Sequence, residues 1–408
     1  MGYLSGIVTG AFSTPIFLIF LVACVGYFLG RIEIRGVSLG TAAVFLAALI
    51  FGHFGYGDGS LLHEIGLVGL STERLKATMD LTQSIGLACF VTAVGFIAGP
   101  RFFHDLKRNA RSYVLLAVVI IGLGCLTCLG VIRLAGLDPA VAVGLLVGAL
   151  TTTPGFASAQ DALAGSEVML DQLSVGMAVA YPFGVVGVVL FVQLVPKLLR
   201  ADMAEERRKL SGDTVTAIVP RARRLLTLDP FGFGAFTLAI LIGILVGRIH
   251  VPLPGGSSFA LGNTGGMLLA GLVLGHFGRI GPLSMKVEHK AATALRELGL
   301  VLFLIGAGVP GGAGFVAIVR EEGAILFVYG ALMTILPMLG GFVLGKWVMK
   351  LDLLNDLGAI TGGMTSTPAL GSLIGVAGTD DVAAAYAATY PVALVLIVLG
   401  VQVIVTVV

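Results

Sequence analysis

The sequence predicts an all-α integral membrane protein built of two inverted repeats, each with about five transmembrane helices and one re-entrant or discontinuous helical hairpin. Three observations predict it. Of the 408 residues, 57% are hydrophobic and 12% are charged, with a mean hydropathy of +1.02, whereas a soluble domain carries about 25% charge. Apolar stretches long enough to span a bilayer recur along the whole chain. Two further stretches are broken midway by the same device, Thr151-Thr152-Thr153-Pro154-Gly155 and Thr365-Ser366-Thr367-Pro368-Ala369.

In chain order, spans are expected near 12–30, 37–54, 83–99, 112–135 and 174–196, with the first broken element at 139–163. After a polar segment, the pattern returns near 231–249, 261–277, 297–313, 323–347 and 382–407, with the second broken element at 357–377. The organisation is therefore a membrane repeat at 1–196, a cytoplasmic linker at 197–228 and a second membrane repeat at 229–408. Single residues recur as well. Gly30-Arg31-Ile32 matches Gly247-Arg248-Ile249, Gly52-His53-Phe54-Gly55 matches Gly275-His276-Phe277-Gly278, and Tyr181-Pro182 matches Tyr390-Pro391. The linker, charged and mixed in sign, reads as a connecting segment or surface helix, and residues 56–81 as an interfacial helix. The 59 glycines allow close helix approach; Gly95, Gly99, Gly308 and Gly312 are expected to give smooth surfaces beside the two breaks.

Basic residues orient the chain. With five spans per repeat and re-entrant broken elements, 20 of the 25 Lys and Arg fall on one side; with fully crossing elements the best split is 17 to 8. The re-entrant arrangement makes the repeats antiparallel, puts both termini outside, and brings the two breaks to the midplane from opposite faces.

Proline lacks an amide hydrogen and crowds the preceding turn, so each break frees backbone groups at membrane depth. Such backbone survives only where protein buries it or a watery cavity meets it. A matched pair of these breaks is the mark of a secondary transporter's binding site. The candidate substrate-binding residues are Thr151, Thr152, Thr153, Pro154, Gly155, Gly363, Thr365, Ser366, Thr367, Pro368 and Ala369. Half-helix N-termini beginning at Gly155 and Ala369 suit an anion; the freed carbonyls and hydroxyl oxygens suit a small cation or an ammonium group. Gln193 and Gln402 stand deep in their spans, either to donate to substrate or to bond between helices, and Gln160 beside Asp161 follows the first break without a counterpart in the second. His53 and His276, each in a Gly-His-Phe-Gly run at the end of a span, read either as proton-coupling groups or as polar helix-end residues, the latter the favoured reading. No acidic residue stands in mid-span, so no carboxylate relay is expected. Cys24, Cys89, Cys125 and Cys128 lie in apolar stretches, and neither disulfides, metal nor cofactor is implied. No base flanks the hydroxyls, so no enzyme is expected.

Gly86 to Phe103 followed by Gly144 to Leu163, repeated as Gly299 to Phe315 and Gly358 to Gly371, resembles the aspartate:alanine exchanger family of YidE/YbjL-type transporters. The resemblance covers essentially the whole membrane part, without the soluble regulatory domains that larger members carry between the halves. It implies exchange of amino acids or dicarboxylates and an elevator-type transporter fold. The expected function is exchange of small carboxylate-bearing solutes, such as aspartate and alanine or dicarboxylates, by alternating access. Sodium- or proton-coupled symport of organic anions, and more remotely a channel, stand as alternatives. Expected partners are a small anionic or zwitterionic solute and the lipid bilayer, with a coupling ion and a homodimer left open and no nucleic acid. The expected location is a prokaryotic inner membrane, crossed many times.

Overall fold

The computed structural model describes residues 10–34, 37–38, 41, 43–55, 72–163, 166–210, 225–252, 258–259 and 261–407. In order, the helices are α1 (Pro15–Gly30), α2 (Ala43–Gly55), α3 (Thr72–Ala135), α4 (Pro139–Ala149), α5 (Thr153–Ala162), α6 (Glu167–Leu198) and α7 (Met203–Leu210). They continue as α8 (Phe233–Gly247), α9 (Gly262–Phe277), α10 (His289–Glu322), α11 (Ile325–Val343), α12 (Leu353–Gly363), α13 (Thr367–Ala377) and α14 (Val382–Val407). A π-turn at Leu344–Val348 continues α11. Three two-residue antiparallel ribbons complete the set: β1–β2 (Glu33–Ile34 with Val37–Ser38) after α1, β3–β4 (Val251–Pro252 with Ser258–Phe259) after α8, and β5–β6 (Arg279–Ile280 with Leu283–Ser284) after α9. Six helical stretches are long and apolar enough to cross a membrane, and five shorter apolar helices accompany them. The chain is thus an all-α multi-pass membrane protein.

The expected spans fall on these helices with some differences in their bounds: α10 runs on past 313 to Glu322, and residues 37–38 pair as strand ahead of α2. Residues 101–111 were expected to separate two spans, and helical backbone instead runs through them from Thr72 to Ala135. The helix runs on through Pro100 at the edge of that stretch, and residues 101–111 contain neither glycine nor proline. The interfacial helix expected at 56–81 is described only from Thr72, where it opens α3; the rest lies outside the described residues.

The chain forms two compact units, Met1–Cys89 with Glu297–Ile325, and Phe90–Arg296 with Leu326–Val408. Each half of the sequence contributes to both. In the first unit, Gly52 of α2 fits against Val309 of α10, while Gly308 and Gly312 of α10 fit against Ala48 and Leu49 of α2. In the second, Gly95 and Gly99 of α3 fit against Gly271 and Leu272 of α9. These four glycines therefore serve packing against α2 and α9. Van der Waals contact between backbones is what small residues give when lipid supplies no hydrophobic drive.

At the start of α8, Asp229 accepts hydrogen bonds from the backbone amides of Phe231 (3.0 Å), Gly232 (2.7 Å), Phe233 (2.9 Å) and Gly234 (2.7 Å). The Gly234 N–H foremost holds this carboxyl below the usual carboxylate range; desolvation opposes it, and the Phe233, Gly232 and Phe231 groups add to it. A depressed carboxylate pKa stabilises fully above the unfolded value, about 3.9 for Asp, and its contribution is lost as pH falls through the folded value. Strong acid should therefore lower the hydrogen-exchange protection of amides 231–234. Asp229→Ala should show that low protection at neutral pH; equal protection in both proteins would remove the cap from the account.

Candidate functional site

All the groups of the site belong to the second unit. Both breaks have the same backbone. The Thr151 N–H donates to Gly148 O (2.9 Å) and Thr152 N–H to Val147 O (3.0 Å); Thr365 N–H donates to Gly362 O (3.0 Å) and Ser366 N–H to Thr361 O (3.0 Å). This is the Schellman ending of a helix, with the residue after the cap in the left-handed region. Glycine usually stands there, yet here it is Thr151 at φ 51° and Thr365 at φ 49°. A β-branched residue at positive φ is strained, by about 1–3 kcal/mol.

The two threonines hold each other. Thr151 Oγ1 donates to Thr365 O at 3.2 Å, and Thr365 Oγ1 donates to Leu150 O. So the tips of α4–α5 and α12–α13 are joined directly by hydroxyls that glycine would not supply. Each half-helix α4 and α12 has 11 residues, a rise of about 16 Å, roughly half the hydrocarbon thickness.

The helix starts beyond the tips differ. Thr152 caps α5, its Oγ1 accepting from Gly155 N at 3.3 Å. Ser366 stands in the same place before α13 and makes no such bond. Its Oγ has no hydrogen-bond partner among the described residues, and the residue is 0% exposed. Thr367 lies 3.4 Å from the Tyr386 hydroxyl, Pro368 and Ala369 are buried, and Gly363 fits against Ile120. Gly155 is buried against Thr152 and Ile397. Thr153 and Pro154 open α5; their side chains lie outside the described ones.

Around the tips the halves of the chain exchange partners. Glycines 144 and 148 of α4 fit against Leu173, Gly176 and Met177 of α6, and Gly358 and Gly362 of α12 against Val382 and Tyr386 of α14. The second half-helices cross over. Ser158 of α5 donates to Val398 O of α14 (3.3 Å) and lies 3.4 Å from Gln402 Nε2; Gln193 Nε2 of α6 donates to Ser372 Oγ of α13 (3.0 Å). Gln193 and Gln402 thus bond between helices. Gln160 is exposed on α5, and the side chain of Asp161 lies outside the described ones. His53 and His276 sit at helix ends, each against the ring of the phenylalanine that follows it.

Some residues emerge only in three dimensions. Glu206 of the linker helix α7 accepts from Leu353 N (3.0 Å) at the start of α12, and Arg207 donates to Ala377 O (2.9 Å) at the end of α13. An acid at a helix start and a base at a helix end both oppose the macrodipole, so one short helix closes both ends of the second broken element. Arg296 at the start of α10 is 7% exposed and pairs with Asp380, beyond α13. At the other end of the molecule's chain path, Arg133 of α3 donates to Val407 O of α14 (3.3 Å). A carboxyl the sequence did not single out, Asp356, is 0% exposed in the first turn of α12. The apolar stretch in the sequence begins one residue later, at Leu357.

A family model described as Predicted Permease Membrane Region matches residues 18–197 and 235–406. An uncharacterized transporter of Bacteroides fragilis is 29% identical over 546 aligned positions, covering 96% of this chain and 98% of its own. One of Bacteroides thetaiotaomicron is 28% identical over 542, covering 95% and 97%, and one of Geobacter sulfurreducens 27% over 555, covering 96% and 98%. These alignments exceed the 408 residues of the chain, so the relatives carry residues without a counterpart here. With both halves matched by the family model, the chain belongs to the Predicted Permease Membrane Region family, the aspartate:alanine exchanger family that its repeated motifs resemble.

Proposed function

We propose that this permease is a secondary transporter of a prokaryotic inner membrane that exchanges small carboxylate-bearing solutes, such as aspartate and alanine or dicarboxylates, by alternating access. One observation carries the reading: two broken helices meet tip to tip, and one of the helix starts there is left uncapped beside a buried hydroxyl without a partner. A helix N-terminus offers amide donors and partial positive charge to a carboxylate, and Ser366 adds a hydroxyl donor. The opposite start, closed by its own Thr152, leaves the site one-sided.

The inverted arrangement has support in where the ends lie. The first broken element follows Ala135, two residues after the Arg133 that touches the C-terminal Val407. The second is closed by the linker helix α7, which begins after α6 has run its 32 residues from Glu167. That path supports a reading in which the two elements enter from opposite faces, with their tips at mid-membrane. Elevator-like travel of the two broken elements together with α6 and α14, on which they pack, completes the proposal.

Counterflow into proteoliposomes preloaded with L-aspartate, L-alanine or succinate tests it. Labelled solute should enter only where unlabelled solute waits inside. Entry into empty vesicles at the same rate would indicate a channel, and entry that requires only an ion gradient would indicate symport.

A further inference from the structure

Asp356 occupies the first turn of α12, and the site reading leaves it without a role. It is 0% exposed, and neither carboxyl oxygen has a hydrogen-bond partner among the described residues. The carboxyl rests directly on Gly345, where any β-carbon would overlap it. Gly345 belongs to the π-turn Leu344–Val348. A π-turn inserts one residue into a helix and recurs at functional sites; here it sets a glycine opposite the acid. The pocket is thus shaped for a carboxyl group and, among the described residues, supplies it with no donor.

Charged and titratable groups stand on the elements around α12. Lys346, on the π-turn, acts on Asp356 through space without a hydrogen bond. On α7, Glu206 is engaged by Leu353 N–H and Lys209, and Arg207 by Ala377 O. Tyr113 of α3 donates to the neighbouring Asn355. α14 carries Tyr386 and Tyr390, α6 ends in Lys197, and α13 has no titratable side chain. An ionised carboxylate at zero exposure needs donors or a paired cation, and without them it takes up a proton.

We propose that Asp356 is a proton-binding carboxyl that couples proton movement to solute movement, an inference that rests on the transporter reading above. Its carboxylate takes up one proton to become a neutral acid in the arrangement described here. It releases that proton when the second broken element shifts and Lys346 comes into range as a partner. α12 is the mechanical link. Eight residues of helix separate Asp356 from Met364 at the tip, about 12 Å of axial rise, so the state of the acid biases the position of Ser366 by shifting populations.

Infrared difference spectroscopy on the purified protein in liposomes reads the proton without any solute. Wild type should show a protonated-carboxyl C=O band at neutral pH that Asp356→Asn removes and Asp229→Asn retains. Lys346→Met keeps the acid in place and should let the band persist to higher pH, which decides the matter even if Asp356→Asn folds poorly. In the transport arm, counterflow into vesicles preloaded with L-aspartate or succinate, an acid-outside gradient should speed wild-type uptake, and Asp356→Asn should fall to its rate without a gradient. A band that survives Asp356→Asn, a gradient response that survives it, or drive by sodium in place of protons would each overturn the proposal. Should wild type carry none of the probes, the solute reading fails, while the infrared arm still decides whether Asp356 holds the proton.

Discussion

Ser366→Ala is expected to weaken binding of a carboxylate-bearing solute roughly ten- to hundredfold while leaving the melting temperature of the purified protein unchanged. The hydroxyl is buried and bonds to nothing in the described structure, so its loss takes no hydrogen bond from the fold. A bond to a charged group is worth about 1.5–3 kcal/mol, which sets the size of the binding loss. The neighbouring threonines should behave in the opposite way. Thr365→Val removes the donor to Leu150 O, and Thr151→Val the donor to Thr365 O, so both should lower stability. Side-chain hydrogen bonds in bilayers average about 0.6 kcal/mol; leaving strained positive-φ backbone without its compensating contact adds to that. Equilibrium binding of the solute that scores in counterflow, set beside thermal unfolding of all three variants, separates the roles. Unchanged affinity in Ser366→Ala would make that hydroxyl a packing group.

Both breaks were legible because they rest on local chemistry. Thr-Pro after an apolar run, flanked by glycine, stops a helix wherever it occurs, and α4–α5 and α12–α13 divide within a residue or two of where the sequence places the stops. The pairing across the tips was not legible. Gln193 meets Ser372 and Gln402 meets Ser158 across 179 and 244 residues, and no short window holds both partners. The internal repeat does offer a clue, since Ser158 and Ser372 are offset by the same 214 residues as Thr151 and Thr365. Glu206 and Arg207 hide in a charged run that composition assigns to solvent, yet they reach the ends of α12 and α13. Asp356 hides for another reason. Its carboxyl lies against Gly345 of a π-turn, a feature that neither hydrophobic period nor composition announces.

The exchange of partners explains why the spatial units differ from the sequence halves. A broken element whose first half packs on its own long helix and whose second half packs on the other's cannot be cut from either. The two broken elements, α6 and α14 therefore form one interlocked set of hydrogen bonds and glycine contacts. Any movement of one tip is expected to draw the other with it.

That interlock makes glycine placement the most sensitive test of the fold. Gly362→Ala is expected to lower stability by about 1–3 kcal/mol, the usual cost of forcing extra atoms into a packed interior, and to abolish uptake. A β-carbon at Gly362 would stand 2.5 Å from Tyr386 O and 3.0 Å from Tyr386 Cα. Both are backbone atoms of α14, so no side-chain rotation can relieve the overlap. Either α12 or α14 must move, and α12 ends one residue later at the tip. Gly148 should respond alike, with its β-carbon 2.6 Å from Met177 O of α6. Gly375 in α13 supplies the control. It is exposed, nothing lies within 4 Å of its would-be β-carbon, and alanine in a helix interior is favoured over glycine by roughly 0.5–1 kcal/mol. Gly375→Ala should therefore match or exceed the wild-type melting temperature. The general helix preference for alanine predicts that all three variants gain stability, whereas backbone contact predicts loss at 362 and 148 only. Thermal unfolding in one detergent, with uptake measured after reconstitution, distinguishes them. A Gly362→Ala protein that melts and transports like wild type would mean that α12 and α14 do not pack backbone to backbone, and the tips would lose their rigid support.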